Sequence, residues 1–333
     1  MRYHDLVYGN FNITEPVILE LLNSPALKRL KGVNQGGYRP LLVKPGAKLV
    51  KKEHNRFSHS AGVCLLLYKY GAPIEEQIAG LIHDVSHSVF SHCIDYALDA
   101  GNGKEQNHQD NSHDSYVKKT DIPKILKKHG FDLKYILDDK NFPLKEKTIP
   151  DLCADRIDYI LREAVIFEEL SSRQAQELLN NLLALNNGWV FKNFAAAKKY
   201  AELFFTMNTR YYSSLFPTAV MFLTAGGLLK YALQKKYLNH NDLYSTDSAV
   251  LKKIKKFLNR DQHLRLLWRR MNDKNSVSQN RRSYDARIFC KSRIVDPLFL
   301  DQGKIKRLSQ KLPSWGKVVK QELKPKQYFL KFN

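Results

Sequence analysis

The sequence predicts a mainly α protein: a helical bundle with minor β structure in an N-terminal hairpin and in the C-terminal tail. Apolar residues recur at helical spacing, as at Ala61, Val63, Cys64, Leu66, Leu67 and Tyr68. Turn and β-like signals are confined to short stretches. The 333 residues, 43% hydrophobic and 26% charged, suffice for a sizeable core. The expected division is a core over residues 1–225 and a basic accessory lobe over 226–333 packed on it.

The elements follow in order. Thr14 and Pro16 open a helix from Pro16 to Leu22, with Thr14 as N-cap. Asn34-Gln35-Gly36-Gly37 and Lys44-Pro45-Gly46 are turn chemistry around a short extended piece, Tyr38 to Val43. Helices are predicted over Ser58–Tyr70, Ile74–Ser86 and Ser91–Ala100, then a polar loop or lid from Gly101 to Ser112. The segment His113 to Leu126 reads as the helix after that loop, with Asp121-Ile122-Pro123 opening a helix. Lys140 to Pro150 is a charged connector before the helix that carries Asp155. One or two long helices run from Phe194 to Leu238, and a basic helical stretch from Thr246 to Lys274. In the tail, Ile294-Val295 and Tyr328-Phe329-Leu330 are β-like, with Leu308 to Lys311 between them.

Charge narrows the partners. Fifty-four Lys+Arg against 33 Asp+Glu leave a net +21, which favours nucleotides, nucleic acid or another acidic partner. The basic residues thicken after Lys235. Cys64, Cys93, Cys153 and Cys290 form no C-x-x-C pair, and no secretory leader is read, so a cytoplasmic chain with reduced thiols is expected. The apolar run from Leu215 to Leu229 falls short of the roughly 20 residues a bilayer requires. It is expected as a buried helix, and no membrane partner is expected.

The chemistry concentrates in His59, His83-Asp84 and Asp155. Two imidazoles and two carboxylates make a complete ligand set for one divalent ion. His83-Asp84 follows the apolar stretch Ile78-Ala79-Gly80-Leu81-Ile82, and coordination would relieve the cost of burying both polar groups. His87, four residues after His83, is expected on the same helical face. Mixed N/O ligation admits Mn, Fe, Zn or Mg.

The combination of Arg56-Phe57-Ser58-His59, His83-Asp84 through His92, and Asp155-Arg156-Ile157-Asp158-Tyr159 resembles the HD-domain phosphohydrolases. It looks most like their deoxynucleotide triphosphohydrolase branch. His4-Asp5-Leu6-Val7-Tyr8-Gly9 and Arg29-Leu30 fit the same likeness, which covers roughly residues 1–220. By that resemblance His59, His83, Asp84 and Asp155 hold the metal. It also implies His92 as a phosphate contact, His113 as a proton-transfer residue, and Asp95 as the carboxylate that orients one of these imidazoles; His108 competes with His113, which is preferred because its segment reads as the helix after the polar loop. Arg56 and Arg156, beside metal ligands, are expected to clamp phosphate oxygens. The resemblance puts Tyr159 and Glu163 on the substrate, Gln35 on the sugar and Arg210 on a phosphate, and it implies a homo-oligomer. Three positions depart from the family pattern: Ser214 and Thr218 stand where deoxyribose is read, and Asn23 where an activating guanine nucleotide is read. Deoxyribose selectivity and nucleotide activation are therefore not carried over.

Three functions are compatible with these residues. The first is metal-dependent hydrolysis of nucleotides, including release of triphosphate from a nucleoside triphosphate. The second is a phosphodiesterase or nuclease on single-stranded or cyclic nucleotides, suggested by the basic C-terminal third. The third is a non-catalytic nucleic-acid- or nucleotide-binding module.

Overall fold

The structure, a computed structural model, describes residues 1–38, 54–98, 104–185, 187–212 and 216–333. The Lys44-Pro45-Gly46 turn, most of the 38–43 extended piece and the start of the predicted 101–112 loop lie outside these residues, as does Ser214.

Helices dominate, as expected, and three of them frame the centre of the molecule. Arg56–Lys69 packs against Ile74–Ile82 on one side and against Ala154–Ile166 on the other. Every residue from Arg56 to Leu67 is buried, so this helix is enclosed on all faces. Asn55 caps it, accepting a hydrogen bond from the Ser58 amide. Gly80 allows the close approach of the second helix: a Cβ there would lie 2.5 Å from Leu67 Cδ1.

Several boundaries differ from the sequence reading. The helix begun at Pro16 runs to Asn23 with Glu15, not Thr14, at its N-cap and no side-chain cap bond. The helix from Ile74 stops at Ile82 because the His83 ring turns back and donates from Nδ1 to Gly80 O at 2.7 Å, closing the helix end. His87 therefore sits beyond the helix. Ser91–Tyr96 is a 3₁₀ turn, and the next helix begins inside the predicted loop, at His108. Helix Ser172–Asn180, hairpin Leu182–Leu185/Gly188–Phe191 and helix Pro313–Glu322 have no counterpart in the sequence reading.

The β structure is minor. Arg2–Asp5 pairs with Gly9–Asn12 in the N-terminal hairpin. In a four-stranded sheet, Gly188–Phe191 runs parallel to Leu298–Asp301, which pairs with Lys304–Arg307. Lys326–Phe332 is the centre of a three-stranded sheet between Val277–Gln279 and Ala286–Cys290. Ile294-Val295 is extended but unpaired, buried in the same core as Val7, Leu161 and Tyr200.

The expected boundary at 225/226 falls inside helix Phe216–Gln234. Residues beyond it share the core of the first helices (Phe299, Leu308, Trp315) and pack with Val89, Cys93 and Ile94 in another. Residues on both sides of that boundary thus contribute to the same clusters. At 19 residues, Phe216–Gln234 is longer than the apolar run suggested and reaches the length of a membrane span, but 61% of its apolar window is buried inside the molecule.

Candidate metal centre

The N-terminal hairpin, the helix ends and the turn after Ile82 converge on one cluster. His59 projects from Arg56–Lys69, Asp155 from the first turn of Ala154–Ile166, and His83-Asp84 from the turn between. His59 Nε2 lies 2.9 Å from Asp155 Oδ1 and 3.2 Å from His83 Nε2. His83 Nε2 is 3.6 Å from Asp155 Oδ1 and 3.4 Å from Asp84 Oδ1, and Asp84 Oδ2 is 3.8 Å from His59 Nε2. Ligands about 2.1 Å from a shared ion and roughly 90–109° apart lie about 3.0–3.4 Å from each other. The donor atoms of His59, His83 and Asp155 have nearly that spacing; Asp84 stands at the edge of this group, with Oδ1 toward His83 and Oδ2 toward His59 and Arg56.

The second ring nitrogens are committed elsewhere. His59 Nδ1 donates to Asp158 Oδ2 at 2.8 Å, as His83 Nδ1 does to Gly80 O, so both Nε2 atoms face the cluster. Asp158 is fully buried and is held by Arg162 through two 2.9 Å bonds. Arg162 in turn donates to Asp5 Oδ2 at 2.9 Å, and Asp5 Oδ1 accepts the amides of Val7 and Tyr8. The His4–Gly9 segment thus anchors a relay of charges ending on His59. Gly62 makes room for it: a Cβ there would come within 2.0 Å of Arg162 Nη2 and 2.1 Å of Asp158 Oδ1.

The electrostatics favour a cation. Burial would discourage a proton on His59, but bonds to Asp155 and Asp158 outweigh it and push its pKa up to about 10. Burial would raise Asp155, yet His59 and His83 hold it well below the usual carboxylate range. Burial would likewise raise Asp84, and Arg56, followed by His83 and His87, holds it well below that range.

Beside the cluster, His87 Nε2 is 3.2 Å from Asp84 Oδ1, and its ring meets that of His92 edge-on at 5.1 Å between centroids. His92 Nδ1 faces Asp95 Oδ2 at 3.4 Å, and Asp95 Oδ1 accepts the His108 amide. The turn leading to His92 carries consecutive left-handed residues, Phe90 (φ 56°) and Ser91 (φ 48°). Asp247 takes the Phe90 amide, and Ser91 Oγ donates to Asn34 O, holding that turn in place. His113 Nδ1 is 3.0 Å from Ser86 Oγ, and burial, then Lys145 and His83, push its pKa down to about 4. His87 and His92 are also pushed down, chiefly by burial, so these three rings are neutral at pH 7.

The arginines differ from expectation. Arg56 is 2% exposed and bonds through each of its nitrogens: Nη1 on Asp84 at 2.5 Å, Nε on Ser91 and Nη2 on Gln35 O. It braces the Asp84 carboxylate, and three of its five N–H groups are used by these bonds. Arg156 turns to Lys147 O, Cys153 Sγ (2.9 Å) and Glu146 Oε1 (3.0 Å). Glu146, Cys153 and Asp155 also lie close together, but the Arg156 guanidinium already supplies their cation. Arg210 is a surface residue, 64% exposed and paired with Glu169 at 3.1 Å. Asn23 bonds back to Leu19 O at a helix end.

Gln35, Tyr159 and Glu163 form a second group. The Gln35 amide donates to His54 O, His54 Nε2 is 2.6 Å from Glu163 Oε1, and Tyr159 lies one turn before Glu163 on the same helix. Sequence reasoning singled out neither Asp158 nor Arg162 for a role. Their spacing from Asp155 and from each other, three and four residues, could have placed them on the same helical face. It also missed Arg29, which donates to Val85 O and His87 O and fixes the His-Asp turn.

The HD-domain family model matches residues 56–163, which include all four candidate ligands and Asp158. An uncharacterized Bacillus subtilis protein, YdhJ, is 32% identical over 97% of both chains. The metal-dependent phosphohydrolase cns2 of Cordyceps militaris is 38% identical over 54% of this chain and 50% of its own length. Human deoxynucleoside triphosphate triphosphohydrolase SAMHD1 is 34% identical over 28% of this chain and 16% of its own. A phosphohydrolase structure from Bacteroides thetaiotaomicron shares the fold at TM-score 0.73 and 17% identity, with 100% of this chain and 99% of that one covered. A hypothetical protein from Aquifex aeolicus does so at TM-score 0.72 and 18% identity, covering 100% and 96%. With the His59, His83 and Asp155 cluster inside the stretch that the HD-domain model matches, the chain belongs to the HD-domain metal-dependent phosphohydrolases and is a hydrolase.

Proposed function

We propose that this hydrolase acts on nucleotides, releasing triphosphate from nucleoside triphosphates, with the ion held by His59, His83, Asp84 and Asp155. The observation that carries the reading is a set of buried polar atoms. Among the described residues Gln35 Oε1, Tyr159 Oη, Glu163 Oε2 and Tyr212 Oη have no hydrogen-bond partner. A buried polar atom left without a partner costs about 1–3 kcal/mol. Acceptors from Gln35 and Glu163 and the phenol hydroxyls of Tyr159 and Tyr212 suit the hydroxyls of a sugar; the Tyr159 and Tyr212 rings stand 6.3 Å apart. Thr218 Oγ1 is also buried and unpartnered.

A bound divalent ion polarises a phosphate oxygen and lowers the pKa of a water. Two neutral imidazoles and two carboxylates suit Mn, Fe, Zn or Mg. The chain's residues do the rest. Asp158 fixes the His59 tautomer, and Arg56 holds Asp84 in place. His87 and His92, neutral at pH 7, offer nitrogens to phosphate and its protons, with Asp95 orienting His92. His113, neutral above about pH 4, would accept a proton and pass it to the leaving group once the substrate's negative charge raises its basicity toward neutral pH.

The test is purified protein with Mn and a panel of nucleoside tri-, di- and monophosphates, cyclic nucleotides and a single-stranded oligonucleotide, read by product chromatography. Triphosphate as the released product, lost in His83→Ala, supports the reading. Turnover of the oligonucleotide alone selects the nuclease alternative, which the +21 charge favours.

A further inference from the structure

The segment after strand Ala286–Cys290 adds two cations to this site. Cys290, Ser292 and Ile294 are buried, while Lys291 and Arg293 alternate with them and are half-buried on the opposite side. The buried side is fastened: Ser292 Oγ lies 3.2 Å from Asn208 Nδ2 and 3.4 Å from Glu322 Oε2, and the Arg293 amide donates to Asn208 Oδ1. The other side meets the metal pocket. Arg293 Nη2 donates to Gln106 Oε1 at 3.3 Å, two residues before His108, whose amide holds Asp95 and through it His92. Arg293 is close enough for its charge to act on His92 and Tyr159, and Lys291 acts on Arg156, Asp110 and Glu146.

Their lack of counter-charge sets these two apart. Arg56, Arg156, Arg162 and Lys145 each pair with a carboxylate. Among the described residues neither Lys291 nor Arg293 has one in ion-pair range, and Lys291 makes no side-chain hydrogen bond. Burial, then the neighbouring Arg293, push the Lys291 ammonium down to about 8, as befits a cation short of an anion. With Asp110 and Glu146 near but beyond ion-pair range, two half-buried cations side by side are under-compensated, and a ligand's negative charge would relieve that cost.

We propose that Lys291 and Arg293 are substrate-binding residues that receive the outer phosphates of a polyphosphate chain whose ester end lies at the metal. This deepens the nucleoside triphosphate reading and rests on it for the identity of the ligand. It makes the C-terminal segment part of the site and favours substrates with several linked phosphates over monoesters.

The test is calorimetric binding of inorganic tripolyphosphate, with orthophosphate as the second probe, to Mn-loaded protein. Lys291→Gln and Arg293→Gln should each weaken tripolyphosphate about tenfold, and the pair about a hundredfold. Orthophosphate should change less than about threefold, and Arg293→Lys should restore most of the loss. Should Arg293→Gln fail to fold, Lys291→Gln alone decides, since that side chain holds nothing else together. Tripolyphosphate affinity within about threefold of wild type in a folded variant overturns the proposal, as does an equal loss for both probes. Loss of tripolyphosphate binding in a protein that turns over no nucleotide would uphold the proposal and sink the nucleotide reading. Unchanged nucleoside triphosphate turnover in the double variant would do the reverse.

Discussion

Replacing Asp158 by Asn probes the centre without touching a ligand. Asp158 takes the Nδ1 proton of His59 at 2.8 Å and two bonds from Arg162 at 2.9 Å. An amide in its place weakens the acceptor for His59 and offers the ring a donor, so the tautomer with a bare Nε2 loses its preference. Partners of this kind are worth about 10–100-fold in metal affinity, or about 1.4–2.7 kcal/mol. The fold pays separately. Breaking a buried ion pair costs about 3–5 kcal/mol, and we expect the lower end because Arg162 keeps Asp5 at 2.9 Å. Chelator competition at fixed pH reads the first quantity, and denaturant unfolding of metal-free protein the second. A folded Asp158→Asn variant that binds Mn within twofold of wild type would refute the relay from Asp5 to His59.

Other consequences follow from the same geometry. With His59 near pKa 10 in the metal-free protein, an ion must displace its proton, so binding at pH 7–9 should release about one proton and tighten about tenfold per pH unit. Calorimetry in buffers of different ionisation enthalpy checks this, and enthalpies independent of buffer would contradict it. Because that pKa is raised above the unfolded value of 6.5, the stabilisation from charged His59 is complete below pH 6.5 and lost as pH rises through about 10. Denaturant unfolding of metal-free protein across that range should show the decline. Gly62→Ala should cost about 2–4 kcal/mol and also weaken metal binding, since its methyl group would displace Asp158 and Arg162. A stable Gly62→Ala protein with normal metal affinity would show that the relay is not tightly packed.

The metal cluster was legible because its residues carry their own signal. His59, His83, Asp84 and Asp155 are polar groups set in apolar helical runs, and their convergence needed only the helices to pack. The bracing role of Arg56 was not legible: an arginine beside ligands reads as a phosphate clamp, and only the fold brings its Nη1 to Asp84 at 2.5 Å. The stop at Ile82 depends on a bond from the His83 side chain to its own helix, which apolar periodicity does not report. Lys291 and Arg293 were lost in a basic tail, where alternation with Cys290, Ser292 and Ile294 was the available clue. The pairing of Gly188–Phe191 with Leu298–Asp301, across more than a hundred residues and the 225/226 boundary, was not legible, since such a long-range contact has no local signature.

The most direct measurement is the metal content and anomalous diffraction of protein crystallised with Mn. The account predicts one ion per chain within about 2.3 Å of His59 Nε2, His83 Nε2 and a carboxylate oxygen from both Asp84 and Asp155, absent in His59→Ala. An ion bound elsewhere, or full occupancy in His59→Ala, would contradict it.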